Sequence, residues 1–158
     1  MQPYLAYFIS FFTMLVVMFL PNTVMKTSIP SAWYACIRPD MTPPNYVFPI
    51  VWTILYITIG IGLAETLLLK STYEQNILLG LYAWNLFLNV LWSFVYFGKR
   101  DVVMALFVII HIIVSTVFIL YYTYLILPGW IVWMLLPYLA WLLFAAFLNF
   151  LSTWKKCS

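Results

Sequence analysis

The sequence predicts an all-α integral membrane protein, a bundle of five transmembrane helices, on three observations. Its 158 residues are 66% hydrophobic and 7% charged, with mean hydropathy +1.05, whereas a soluble domain carries about 25% charged residues. The apolar residues come in long uncharged runs, each close to the roughly 20 residues that cross about 30 Å of hydrocarbon. The runs show no polar/apolar alternation, and backbone groups in lipid must be satisfied within the element, which selects helices over a barrel.

The runs are residues 4–20, 47–69, 77–97, 102–125 and 130–154. Only the second holds an ionisable residue other than His111, and that residue, Glu65, lies near the run's end, within reach of the interface. The first lacks a basic leading segment and an A-x-A site, so it reads as a retained span rather than a cleaved signal. Residues 21–44 form the one long connection. "LKSTYEQN", "GKRD" and "LPG" are short and make consecutive helices antiparallel neighbours. Residues 1–158 read as a single five-helix domain.

Lys26, Arg38, Lys99, Arg100, Lys155 and Lys156 fall on one side of this topology and only Lys70 on the other. Basic residues favour the cytoplasmic side, so the long connection, the "GKRD" turn and the C-terminus are expected there. Cys36 and Cys157 then lie where thiols stay reduced, and no disulfide is expected. Two cysteines and one histidine without ligand spacing imply no metal, and no cofactor motif is present. The net charge of +3 follows from the topology and points to no nucleic acid. A mitochondrial outer membrane and a bacterial envelope membrane are both compatible with the sequence, which carries no readable targeting signal.

The chemistry-bearing signal is aromatic: 21% of residues, eight of them tryptophan. Trp130, Trp133 and Trp154 lie near helix ends, where indoles anchor at the interface. The others form stripes at helical spacing. Pro49, Trp52, Tyr56 and Gly60 make one on the second helix. Asn85, Asn89, Trp92 and Tyr96 make another on the third. Tyr138, Trp141, Ala145 and Asn149 make a third on the fifth helix, beside Pro137, a candidate kink. Amides and small residues at such positions serve as packing between membrane helices. They equally suit a pocket in which indole faces stack on a flat apolar ligand and amides orient its polar edges. The pattern alone does not choose. His111, one turn before Ser115, reads as a neutral imidazole hydrogen-bonded inside the bundle, with a ligand contact or a pH-sensitive site as the alternative.

Three stretches, "WYACIRPDMTPPNYVFPIVWTILY", "WNLFLNVLWSFVYFG" and "LLPYLAWLLFAAFLN", resemble those of the translocator protein family, also called tryptophan-rich sensory proteins or peripheral-type benzodiazepine receptors. The resemblance runs from Trp33 to about Leu151. It implies a five-helix bundle, commonly a homodimer, whose pocket opens toward the long first loop and takes porphyrins such as protoporphyrin IX, sterols and benzodiazepine-site ligands. Carried over by position, it implies the loop dipeptide Trp33–Tyr34, the diprolyl Pro43–Pro44, and pocket residues Trp52, Asn89, Trp92, Trp141, Ala145 and Asn149. It also implies light- and oxygen-dependent porphyrin breakdown, with Trp52 and Trp141 as the reacting pair.

Three positions depart from the family's pattern. Met41 stands where a tryptophan usually precedes the diprolyl, Val108 where the fourth helix usually bears an acid, and Phe150 where the proposed sterol motif has tyrosine. A porphyrin is therefore the better-matched ligand. Binding, with the protein as sensor or scavenger, is the leading function, and photochemical degradation stands next. Transport ranks lower because there is no inverted repeat, broken-helix pair or intramembrane coupling acid. A scaffold for partner proteins is the remaining reading.

Overall fold

The computed structural model describes residues 1–157. It contains α1 (Pro3–Phe19), α2 (Asn22–Ser28), α3 (Ala32–Ile37), α4 (Val47–Leu68), α5 (Tyr73–Ser93), a π-helical turn (Phe94–Gly98), α6 (Val102–Ile126) and α7 (Gly129–Ser152). Five stretches are long and apolar enough to cross a membrane: Pro3–Ser28, Val47–Leu68, Tyr73–Gly98, Val102–Ile126 and Gly129–Ser152. The protein is an all-α, multi-pass integral membrane protein.

Two spans are longer than hydropathy predicts. The first continues through Pro21, whose φ of −68° is helical, because a proline at the start of a helix forfeits only an N–H that has no intrahelical partner. The third begins at Tyr73 rather than near residue 77. Thr72 caps it, its hydroxyl accepting from the Gln75 N–H at 3.2 Å. The Gln75 amide in turn donates to the carbonyls of Thr66 (2.9 Å) and Leu69 (3.3 Å), tying the end of α4 to the start of α5. The long connection is itself partly helical. Ser31 caps α3 by accepting from the Tyr34 N–H.

Around the bundle α1 packs on α4, α5 on α6, and α6 on α7, with lighter contacts of α4 to α5 and α7 and of α1 to α5. Small residues set the close approaches, as expected where lipid supplies no hydrophobic drive between helices. A Cβ on Gly60 would lie 3.0 Å from the Phe11 ring, and one on Gly62 would lie 2.5 Å from the Tyr82 hydroxyl. Polar bonds reinforce the α1–α4 seam: Ser10 donates to the Gly60 carbonyl at 2.5 Å, and the Tyr7 hydroxyl donates to the Glu65 carboxylate. Glu65 is thus held by a neighbouring helix, and Gly60, the last member of the second-helix stripe, faces α1.

The structure differs from expectation at His111 and at the two cysteines. His111 is exposed on α6 and bonds the Phe107 carbonyl of its own helix at 2.8 Å; on the outside of the bundle it satisfies itself locally, and Ser115 rather than His111 enters the bundle. Cys36 and Cys157 form a disulfide with their Cα atoms 6.0 Å apart, well within bridging range. Both residues do lie at the same end of the bundle, as the five-span topology requires.

Candidate ligand pocket

At the end of the bundle that carries α2 and α3, the helices part around a cavity of about 550 Å³, within the range of small-molecule sites. Tyr34, Arg38 and Thr42 come from α3 and the loop after it. Phe48, Trp52 and Tyr56 come from α4, Asn89, Trp92 and Tyr96 from α5 and the π-helical turn, and Trp141, Ala145 and Asn149 from α7. Met25 and Lys26 of α2 close one side, and Ile109 and Ile112 of α6 lie behind.

Three members of each stripe converge on this space because each stripe occupies one face of its helix and all three helices start or end here. Trp52 stacks on Tyr56 (centroids 5.3 Å apart) and meets Tyr138 edge-on. Trp92 stacks on Tyr96 at 5.0 Å, and Trp141 meets Phe48 edge-on at 5.8 Å. The π-helical turn packs between α2 and α6. It buries three consecutive residues, Val95, Tyr96 and Phe97, more than one face of a regular helix presents, a use of such turns seen at functional sites.

A polar network stands behind the wall. Asn85 donates to Ser115 (2.8 Å) and Thr116 (3.0 Å) and accepts from the Tyr138 hydroxyl at 2.7 Å. The Asn89 amide donates to the Tyr138 oxygen at 2.7 Å, and its own side-chain oxygen accepts no hydrogen bond among the described residues. Trp92 donates to Asn149 at 3.0 Å, and Asn149 donates to the Val102 carbonyl at 2.8 Å, joining α5, α7 and α6. The Trp141 indole nitrogen and the Thr42 hydroxyl are buried without a partner.

Of the residues singled out from sequence, Tyr34, Trp52, Tyr56, Asn89, Trp92, Trp141, Ala145 and Asn149 line the cavity. Asn85 and Tyr138 do not: they are 1% and 2% exposed and bind one another and α6. Trp33, Pro43 and Pro44 also lie outside the lining. Trp33 packs edge-on against Tyr96 and lies 5.4 Å beneath the Arg100 guanidinium, a cation–π contact. Pro43 contributes through its carbonyl, which accepts from Arg38 at 2.8 Å. Arg38, Thr42, Phe48 and Lys26 were not foreseen, since an irregular loop and a helix end carry no periodicity to reveal them. Burial raises the Tyr34 phenol pKa above its ordinary value, a shift that nearby Arg38 opposes, so Tyr34 remains a neutral donor.

Comparison with known proteins places this architecture. The sequence model described as the TspO/MBR family matches residues 5–155. The chain is 35% identical over 131 residues to the tryptophan-rich protein TspO of Chlorobaculum tepidum, covering 78% of this chain and 80% of that one. It is 35% identical over 127 residues to the TspO of Archaeoglobus fulgidus, covering 75% and 76%. Over 126 residues it is 34% identical to the human translocator protein, covering 78% and 73%. The match takes in all five spans, and the chain belongs to the TspO/MBR family.

Proposed function

We propose that this membrane protein binds a flat, largely apolar ligand of the tetrapyrrole class in the cavity at the α2–α3 end of the bundle. The observation that carries the reading is the convergence of Trp52, Trp92 and Trp141 from three separate helices on one space of about 550 Å³. Wide π-faces there offer stacking, and one indole N–H awaits an acceptor. Trp92 is already committed to Asn149, so Trp52 and Trp141 are the indoles free to rearrange around a ligand. The loop from Arg38 to Pro44 acts as the lid, stapled by the Arg38 side chain to the carbonyls of Thr42 and Pro43.

Titration of the purified protein in detergent with protoporphyrin IX, followed by tryptophan fluorescence, tests this. Saturable quenching is the expected outcome. A flat response would leave the stripes as helix packing alone.

A photochemical role is the second reading, supported by the presence of both Trp52 and Trp141 on the cavity wall. An indole held at contact distance from an excited porphyrin is an oxidisable partner already in position, with dioxygen as the oxidant. The concentration of basic residues on the lid face supports placing that face in the cytoplasm.

A further inference from the structure

We propose that the pocket recognises a carboxylate on its ligand, through Arg38 assisted by Lys26, the other cation of the lining, so that the ligand enters ring-first and leaves its acid group at the lid. The inference rests on the pocket reading above and adds the chemistry and orientation of the occupant.

The charge inventory of the cavity carries it. Two charged residues line the space, Lys26 and Arg38, and both are cations. The chain has four acids, and each is engaged or placed elsewhere. Glu65 accepts from Tyr7 on the α1–α4 seam. Glu74 is in the first turn of α5, at the opposite end of the bundle. Asp101 caps α6 by accepting from the Met104 N–H at 2.9 Å. Asp40, two residues from Arg38, points to solvent and pairs with Lys155 at 3.6 Å. Among the described residues, then, neither pocket cation has a carboxylate partner.

Arg38 also has donors to spare. Its two hydrogen bonds, to the carbonyls of Thr42 and Pro43, both leave from Nη2. A guanidinium carries five N–H groups in a planar fork, so Nη1 and Nε remain for an incoming carboxylate, the group that fork fits best. The same two bonds fix the guanidinium to the lid backbone, which lowers the ordering cost of a charge-assisted bond. The buried Thr42 hydroxyl, on the loop that Arg38 staples, has no partner and can donate to the same acid. On α7 the unpartnered Trp141 N–H awaits an acceptor on the ring body. The polar groups at the lid and on α7 thus ask for complementary features at two points of one amphiphile, an anionic edge and a ring acceptor.

The test compares protoporphyrin IX with its dimethyl ester, which keeps the ring and removes both charges. Tryptophan quenching is read in detergent against protein-free micelles, for the wild type, Lys26→Gln, Arg38→Gln and Arg38→Lys. We expect the wild type to bind the free acid at least about tenfold more tightly than the ester, the ratio that one charge-assisted hydrogen bond supplies. Arg38→Gln should remove most of the acid's advantage over the ester, while any loosening of the lid falls on both ligands alike. Arg38→Lys, which keeps charge and loses the fork, should fall between, and Lys26→Gln should narrow the ratio by a smaller factor. Equal, saturable binding of acid and ester by the wild type would overturn the carboxylate assignment and leave the pocket intact. An equal loss of both ligands in Arg38→Gln, with the acid-to-ester ratio kept, would make Arg38 a lid staple only, again overturning it. Absence of quenching by either compound in the wild type would remove the pocket reading itself.

Discussion

The two ends of the bundle are built on opposite plans. At the end holding Tyr7, Glu65 and Gln75, helices touch through glycine and are tied by bonds from Tyr7 and Gln75, with the close-packed Tyr82 and Thr123 hydroxyls left without a partner. At the end holding Trp52, Trp92 and Trp141, the same helices diverge around a space walled by rings, with the Trp141 indole and the Thr42 hydroxyl left unpartnered. The contrast teaches that in lipid, where apolar surface gives helices little reason to associate, a cavity can be held open at one end by fastening the other. The Asn85–Asn89–Tyr138 cluster lies at the boundary, joining α5, α6 and α7 directly behind the pocket wall.

Breaking the fastened end should have the largest effect. Gly62→Ala places a methyl group 2.5 Å from the Tyr82 oxygen, and Tyr82 is 1% exposed, so its ring must shift within the packed bundle. A loss of about 1–3 kcal/mol is expected, read as a lower melting temperature in detergent. Tyr82→Phe removes the clashing atom, whose hydroxyl has no partner, and should restore much of that loss in the double variant. If Gly62→Ala melts like the wild type, the close α4–α5 approach is not a constraint.

The boundary comes next. Asn85→Leu removes the amide that donates to Ser115 and Thr116 and the oxygen that accepts from Tyr138, and should cost about 1–2 kcal/mol, together with weaker porphyrin binding as the wall loosens. Asn89→Leu should weaken binding as well, since Asn89 both lines the cavity and holds Tyr138. A variant whose stability falls while its affinity does not would separate the two ends.

Changes confined to the pocket should be smaller in stability and visible in chemistry. Trp52→Phe and Trp141→Phe retain an aromatic face and should reduce affinity modestly, in proportion to lost contact area at about 25 cal/mol per Å². Trp141→Phe should cost more of the two, having also lost the free N–H. If the site degrades its ligand, each change should slow the light-driven loss of porphyrin absorbance far more than it weakens binding. Phe150→Tyr, on the exposed side of α7, should leave that rate unchanged. Equal decay with wild type, both tryptophan variants and no protein would eliminate photochemistry.

The smallest effect is expected at the lid's outer surface. Lys155→Gln with Lys156→Gln removes the solvent-exposed contact to Asp40 and should leave binding unaltered, as surface ion pairs contribute little. An impermeant maleimide should reach both Cys36 and Cys157 from one face, and only after reduction. Labelling from opposite faces would contradict the five-span topology. A pair recovered wholly oxidised from intact cells would argue that the lid face is not cytoplasmic, because disulfides persist in oxidising compartments.

What the sequence revealed depended on periodicity. Long apolar runs exposed all five spans, and the stripes located Trp52, Trp92 and Trp141 because successive members share a helical face. The same spacing misplaced Asn85 and Tyr138: the cavity occupies only part of each helix's length, so a residue on the correct face but a turn deeper meets another helix. The early start of α5 was hidden because its first turn is polar and forms through the Thr72 cap. Arg38 and Thr42 lie in a loop without period. The disulfide was hidden because compartment says nothing of the distance between Cys36 and Cys157, which the fold brings to 6.0 Å between Cα atoms.

That bond makes most of the molecule a ring. It joins residues 121 apart in sequence, so α4, α5, α6 and α7 lie within a covalent circle, while α1 and α2 hang from it by a single strand. A protease that nicks the "GKRD" turn would therefore leave one band on a non-reducing gel and two after reduction. A nick between α2 and α3 would free the first span under either condition. The chain has, in effect, four helices strung on a closed loop and a fifth attached as a pendant, held in place by Gly60, Ser10 and Tyr7 rather than by any covalent return.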